Sequence, residues 1–131
     1  MSVIAAWEDA EHTIVRLNFS EYWTLDELHK TGTESILMIR SVKHPVYVIS
    51  DFSASANFPI GLLWKARDLN RMRPANWEAG ITITQDGFAK NLLDLFRHVY
   101  LGQRARRIYV VRTHPEALEL IDKLKAEKRV G

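Results

Sequence analysis

The chain has 131 residues, no cysteine, and 18 Lys+Arg against 16 Asp+Glu, a formal charge of only +2. That length suits one domain, long enough to bury about two-thirds of its unfolded surface without a covalent staple. Disulfides, thiol catalysis and Cys-based zinc sites are excluded, and so small a charge excess raises little field over the whole surface.

At the N-terminus no basic segment precedes the apolar run Val3-Ile4-Ala5-Ala6-Trp7, as a secretory signal would require. No run reaches the ~18 apolar residues of a spanning helix; Ile36-Leu37-Met38-Ile39 is the longest candidate. One soluble, cytoplasmic domain covering residues 1–131, without membrane contact, is therefore expected. Residues 3–7 read as a strand. Residues 13–19 alternate Ile14, Arg16 and Asn18 against Val15, Leu17 and Phe19, the period of a strand with one buried face. The polar stretch Glu8-Asp9-Ala10-Glu11 between them predicts an N-terminal hairpin.

Thr24-Leu25-Asp26-Glu27 is a capping box, in which hydroxyl and carboxylate each satisfy a backbone amide. The helix it opens carries Leu25, Leu28, Gly32, Ser35, Ile36 and Ile39 on one stripe and must end before Pro45. Gly32 costs it about 1 kcal/mol against Ala, and close packing of the helix on the sheet is the expected return. Val46-Tyr47-Val48-Ile49 is continuously β-branched and aromatic, as a central strand buried on both faces should be. A serine-containing loop from 51 to 59 leads to a second helix over residues 60–73, with Leu62, Leu63, Ala66 and Leu69 inward and Pro74 as its stop. Residues 81–84 predict a fourth strand. Asp86 then caps a third helix, with Phe88, Leu92, Leu95 and Val99 at helical spacing. Residues 108–111 form a fifth strand, and Thr113-His114-Pro115-Glu116 repeats the capping-box logic for a last helix with Leu118, Ile121 and Leu124 inward. Residues 127–131 are expected to fray. The result is an α/β domain with one mixed five-stranded sheet and about four helices, in the order β-β-α-β-α-β-α-β-α.

Over nearly its whole length this order resembles the STAS fold of bacterial anti-sigma-factor antagonists, and more closely their SpoIIAA-like relatives. The strand at 46–51 followed by Phe52-Ser53 is similar to that family's apolar strand ending in Asp-Leu-Ser, and the final strand and capped helix match in placement. In phosphorylatable antagonists the second helix opens with Asp-Ser-Ser-Gly. Here Asn57-Phe58-Pro59-Ile60-Gly61 stands in that position and keeps only the glycine. The resemblance thus implies a regulatory module without the serine switch, since Ser53 and Ser55 lie in a loop where serines mostly form turns.

The chemistry-bearing residues are few. The histidines 12, 29, 44, 98 and 114 show no metal-ligand spacing, and His98 after Asp94 reads as a surface pair. No nucleophile elbow, phosphate loop or dinucleotide fingerprint is present, so no catalytic residue, metal or cofactor is assigned. Asp51 ends the central strand, where ligands of open α/β sheets bind; it is either a site residue or an acceptor for loop amides. Asp51, Ser53, Asn57 and Gly61 are the candidate ligand-binding residues, because free amides at a helix start favour negative charge. On the second helix Ile60, Trp64, Arg67 and Arg71 share a face adjoining the buried stripe. An aromatic among arginines matches interaction hot spots or a stacking platform for single-stranded nucleic acid; alternatively Trp64 packs on a loop under snorkelling arginines. Phe58, Trp64, Arg67 and Arg71 are the candidate partner-binding residues. A non-enzymatic interaction module, meeting a protein or a second copy of itself, ranks first. A small-molecule or anion binder ranks second, and an enzyme using Asp51 or Asp86 as base ranks third. Nucleic acid is the disfavoured partner.

Overall fold

Val46, Tyr47, Val48 and Ile49 are all buried, and the strand they form is the middle one of five. The computed structural model describes residues 2–56, 58–59, 61–85, 87, 91 and 107–130. Its strands are β1 (Val3–Trp7), β2 (Ile14–Phe19), β3 (Val46–Asp51), β4 (Trp77–Ile83) and β5 (Ile108–Val111). They lie side by side in chain order, β1 antiparallel to β2 and every later pair parallel. Parallel neighbours need crossovers. Helix α1 (Leu25–Arg40) joins β2 to β3, and α2 (Leu62–Arg71) joins β3 to β4. The last helix, α3, is His114–Val130. Three helices are thus present among the described residues. The expected helix opened by Asp86, with Phe88, Leu92, Leu95 and Val99, lies outside them, as do Asn57 and Ile60.

Alternation along β3 divides the core. Val46 and Val48 pack with Val15, Leu17 and Phe19 of β2 and with Leu28 and Ile39 of α1. Tyr47 and Ile49 face the other way, onto Ile14, Ala79, Ile81, Ile83 and the α3 residues Ala117 and Ile121. Beyond the end of β3, Phe19 stacks on Phe52 at 4.1 Å between ring centroids, and Trp23 and Phe58 complete an aromatic cluster. The hairpin turn is held by Asp9, whose carboxylate accepts from the amides of Thr13 and Ile14. Within that turn His12 takes a φ of 57° and stacks on Trp7. At Thr24 the capping box forms with both of its hydrogen bonds.

Four local expectations are corrected. The second helix starts at Leu62 and ends at Arg71, two residues inside the expected 60–73 at each end. Its N-cap, Gly61, sits at φ 94°, a left-handed conformation that a helix cannot include. The fourth strand begins at Trp77, four residues before the expected 81, because β3 extends its ladder back to Val46. The last helix does not fray at 127 but runs to Val130, helped by Lys128, which pairs with Glu78 of β4 at 3.2 Å.

Gly32 is the fourth case. It permits a close approach of helix to helix rather than helix to sheet: a Cβ added there would meet Leu69 Cδ1 of α2 at 2.8 Å. Gly32→Val should therefore push α2 off α1 and destabilise the fold by about 1–3 kcal/mol, the usual range for overpacking. Urea denaturation measures it, and wild-type stability in the variant would show that the two helices do not need this contact.

Candidate functional site

Asp51 closes β3, and the alternation that buries Tyr47 and Ile49 turns its carboxylate to the same face. The residue is only 5% exposed. Such a charge is costly without partners, and three groups supply them. Arg16 of β2 donates to Oδ2 at 2.6 Å, while the amide and hydroxyl of Ser53 donate to Oδ1 at 2.9 and 2.6 Å. Burial pushes the carboxyl pKa up, but the Ser53 hydrogen bonds and the Arg16 charge outweigh it and hold it below the ordinary carboxylate range. Arg16 also reaches Glu8, at 3.7 Å, and Glu8 contacts His114 Nε2 at 2.5 Å. Asp51, Arg16, Glu8 and His114 therefore form one chain of polar contacts across β3, β2, the hairpin and the start of α3.

That network was not foreseeable. Arg16 stands in an alternating strand and His114 at the start of a helix, and neither position names a partner for Asp51. Only the parallel register of β2 and β3, which pairs Asn18 with Asp51 and Arg16 with Ile49, brings the guanidinium diagonally onto the carboxylate.

The other candidates divide between core and surface. Ser53 is a partner of Asp51, as given. Ser55 accepts from the Trp23 indole at 2.8 Å, which anchors the loop after β3. Phe58 is half-buried in the aromatic cluster. Gly61 begins α2, where no side chain caps the helix and the Leu62 amide donates to the Pro59 carbonyl. On the outer face of α2, Trp64 is 56% exposed. The Arg67 guanidinium lies 5.2 Å from its ring centroid, and Arg71 is exposed beyond it. Trp64 and Arg67 thus meet as their spacing predicts, and Asp51 and Ser53 form a second, separate group.

The inner face of α2 is less closely seated than its leucines suggest. Leu62 is its single fully buried residue. Between the helix and the sheet lies a mostly apolar cavity of about 220 Å³, with Leu63, Ala66, Leu69 and Asn70 of α2 on one side and Ser50 and Thr82 of the strands on the other. On the opposite face of the sheet a recess of about 400 Å³ is lined in part by Tyr47, Glu78, Arg107 and Lys128. The Glu78 carboxylate there is already paired with both Arg107 and Lys128.

No protein-family model matches the chain, and no curated protein matches it. The mixed five-stranded α/β sheet is compatible with a STAS-like fold. No described helix is long and apolar enough to cross a membrane.

The Asp51 contacts predict their own pH dependence. A carboxyl whose folded pKa is depressed stabilises the fold fully above its unfolded pKa. That stability is lost as pH falls through the lower, folded value. Asp51→Asn removes the charge while keeping the shape, and should lower stability by about 1–3 kcal/mol at neutral pH. The difference from wild type should shrink in acid below the ordinary carboxylate range. Thermal melts across that range test it, and a constant difference at every pH would place the stabilisation elsewhere.

Proposed function

We propose that this domain is a non-enzymatic interaction module of the STAS-like, SpoIIAA-like type, working in the bacterial cytoplasm and docking a protein partner through the outer face of α2. The observation that carries this reading is Trp64, 56% exposed with a guanidinium against its ring. A large apolar side chain held in water is poorly placed for folding and well placed for an interface, where Trp and Arg are enriched among the residues that dominate affinity. Arg71 continues the face, and Lys65 lies on the same helix beside His29 of α1. Cations around an aromatic anchor favour a partner with an acidic surface, which would also speed encounter. A second copy of the chain is the other occupant considered. The competing reading, anion capture at the amino end of α2, has less support, since the Leu62 amide there already has the Pro59 carbonyl.

The module works without a serine phospho-switch. Pro59-Ile60 stands where the family's acceptor belongs, and the nearer hydroxyls have structural partners: Ser53 at the Asp51 carboxylate and Ser55 at the Trp23 indole. A phosphate on Ser53 would face a buried carboxylate and be repelled.

Two measurements test this. In pull-downs from the source organism, Trp64→Ala should lose a band that wild type retains. Titration of the identified partner should then show a loss of about 2 kcal/mol or more. Retained affinity would sink the docking face, and binding that falls steeply with salt would indicate a nucleic acid instead. Mass spectrometry of protein from its native host should find Ser53 and Ser55 unmodified; stoichiometric phosphate on either would restore the switch.

A further inference from the structure

We propose that the space between α2 and the sheet is a binding site for a compact, neutral, mostly apolar molecule carrying one hydrogen-bond donor, about the size of a bicyclic aromatic. The site goes beyond the docking reading. It uses the inner side of α2, whereas docking uses the outer, and either could fail alone.

Size is the first argument. The cavity holds about 220 Å³, and an apolar cavity of about 150 Å³ is enough to hold benzene. A second fused ring therefore fits. The space exists because the facing surfaces carry small side chains where larger ones would meet: Ser50 and Thr82 on the strands, Ala66 on α2. Gly32 brings α1 and α2 into contact through Leu69, so α2 is held from the side and does not sink onto the sheet.

Chemistry is the second argument. Phe19, Val48 and Leu69 line the cavity, and these exclude a strongly hydrated guest. The lining also includes Asn70, whose Oδ1 is buried with no hydrogen-bond partner among the described residues. A buried acceptor left unpaired is unfavourable, and a guest N–H or O–H relieves it. Asn70 lies four residues beyond Ala66 and seven beyond Leu63, so one stripe of α2 presents both the apolar wall and the acceptor. No carboxylate occurs among the described lining residues. The Arg73 guanidinium, also among the lining residues, lies over the Trp77 ring at 3.5 Å. A neutral guest fits this setting better than a cation or an anion.

Isotope-labelled full-length protein is titrated with two probes, 2-naphthol and naphthalene, and followed by amide shifts in NMR. Both should saturate and move the amides of Gly32, Leu69 and Thr82. Ala66→Phe, which fills the cavity with a ring, should abolish both responses while circular dichroism shows a folded protein. If that variant does not fold, Ser50→Leu fills the space from the strand side and must give the same loss. Asn70→Leu should weaken 2-naphthol by about tenfold and leave naphthalene unchanged, the size of one lost hydrogen bond. No saturable shift with either probe, or shifts that persist in the folded filled variant, overturns the site. An equal effect of Asn70→Leu on both probes overturns the role of Asn70 Oδ1 as acceptor.

Discussion

Everything else in this fold depends on one constraint: the four residues from Val46 to Ile49 must be kept from water on both sides. A strand that is apolar on both faces cannot lie at the edge of a sheet or carry helices on one side alone. It recruits α1 and the Leu62 end of α2 to one face, and α3 with the inward residues of β4 to the other. The same alternation reaches Asp51 two residues on and turns its carboxylate to the α3 side. The Arg16 pairing follows from that burial. A charge brought into a half-covered sheet face needs a fixed counter-charge, and the neighbouring strand is the nearest rigid element able to provide one.

The two long faces of the sheet are covered differently. On the α3 side, Ala117 and Ile121 are fully buried against β3 and β4, and Glu78 is tied to Lys128 near the end of the helix. On the other side α1 packs closely but α2 does not. Its attachments include Leu62 at its start, Leu69 against Gly32 and Lys65 beside His29 in its middle, and Arg73 on Trp77 just past its end. Between those points the inner stripe stands off the strands. A leucine at 66 or 50 would close the gap, so the space reflects which side chains occupy these positions rather than a limit on helix packing.

What could be read from the sequence follows from the range of the signals. Periodicity and capping are local, and they located all five strands, the Thr24 box and the two-faced burial of β3. The inward leucines of α2 were also identified, but burial depth is not local: helical spacing cannot say how far the helix stands from the sheet. The Gly32 partner was misassigned for the same reason. A small residue on a helix signals a close approach without naming what approaches. Asp51 was recognised as a strand-end carboxylate, whereas Arg16, Glu8 and His114 were missed as its network. They lie 35, 43 and 63 residues away in sequence and meet only through strand register and the placement of α3. Asn70 went unnoticed because a polar residue on a helix looks solvated until the chain around it is folded.

Helix α2 therefore combines two surfaces that folding alone does not explain. Its inner stripe could have been filled with larger side chains and would have been more stable for it, since unfilled apolar space forfeits dispersion contacts. Its outer face could have been uniformly polar, as most solvent-facing helix stripes are, yet Trp64 stands there 56% exposed with Arg67 against it. The outer face lies outside the core that β3 organises, whereas the inner stripe borders it through Val48 and Phe19. Departures from the most stable choice are tolerated where something other than stability selects the residue. Both occur on the same helix, on opposite sides of it.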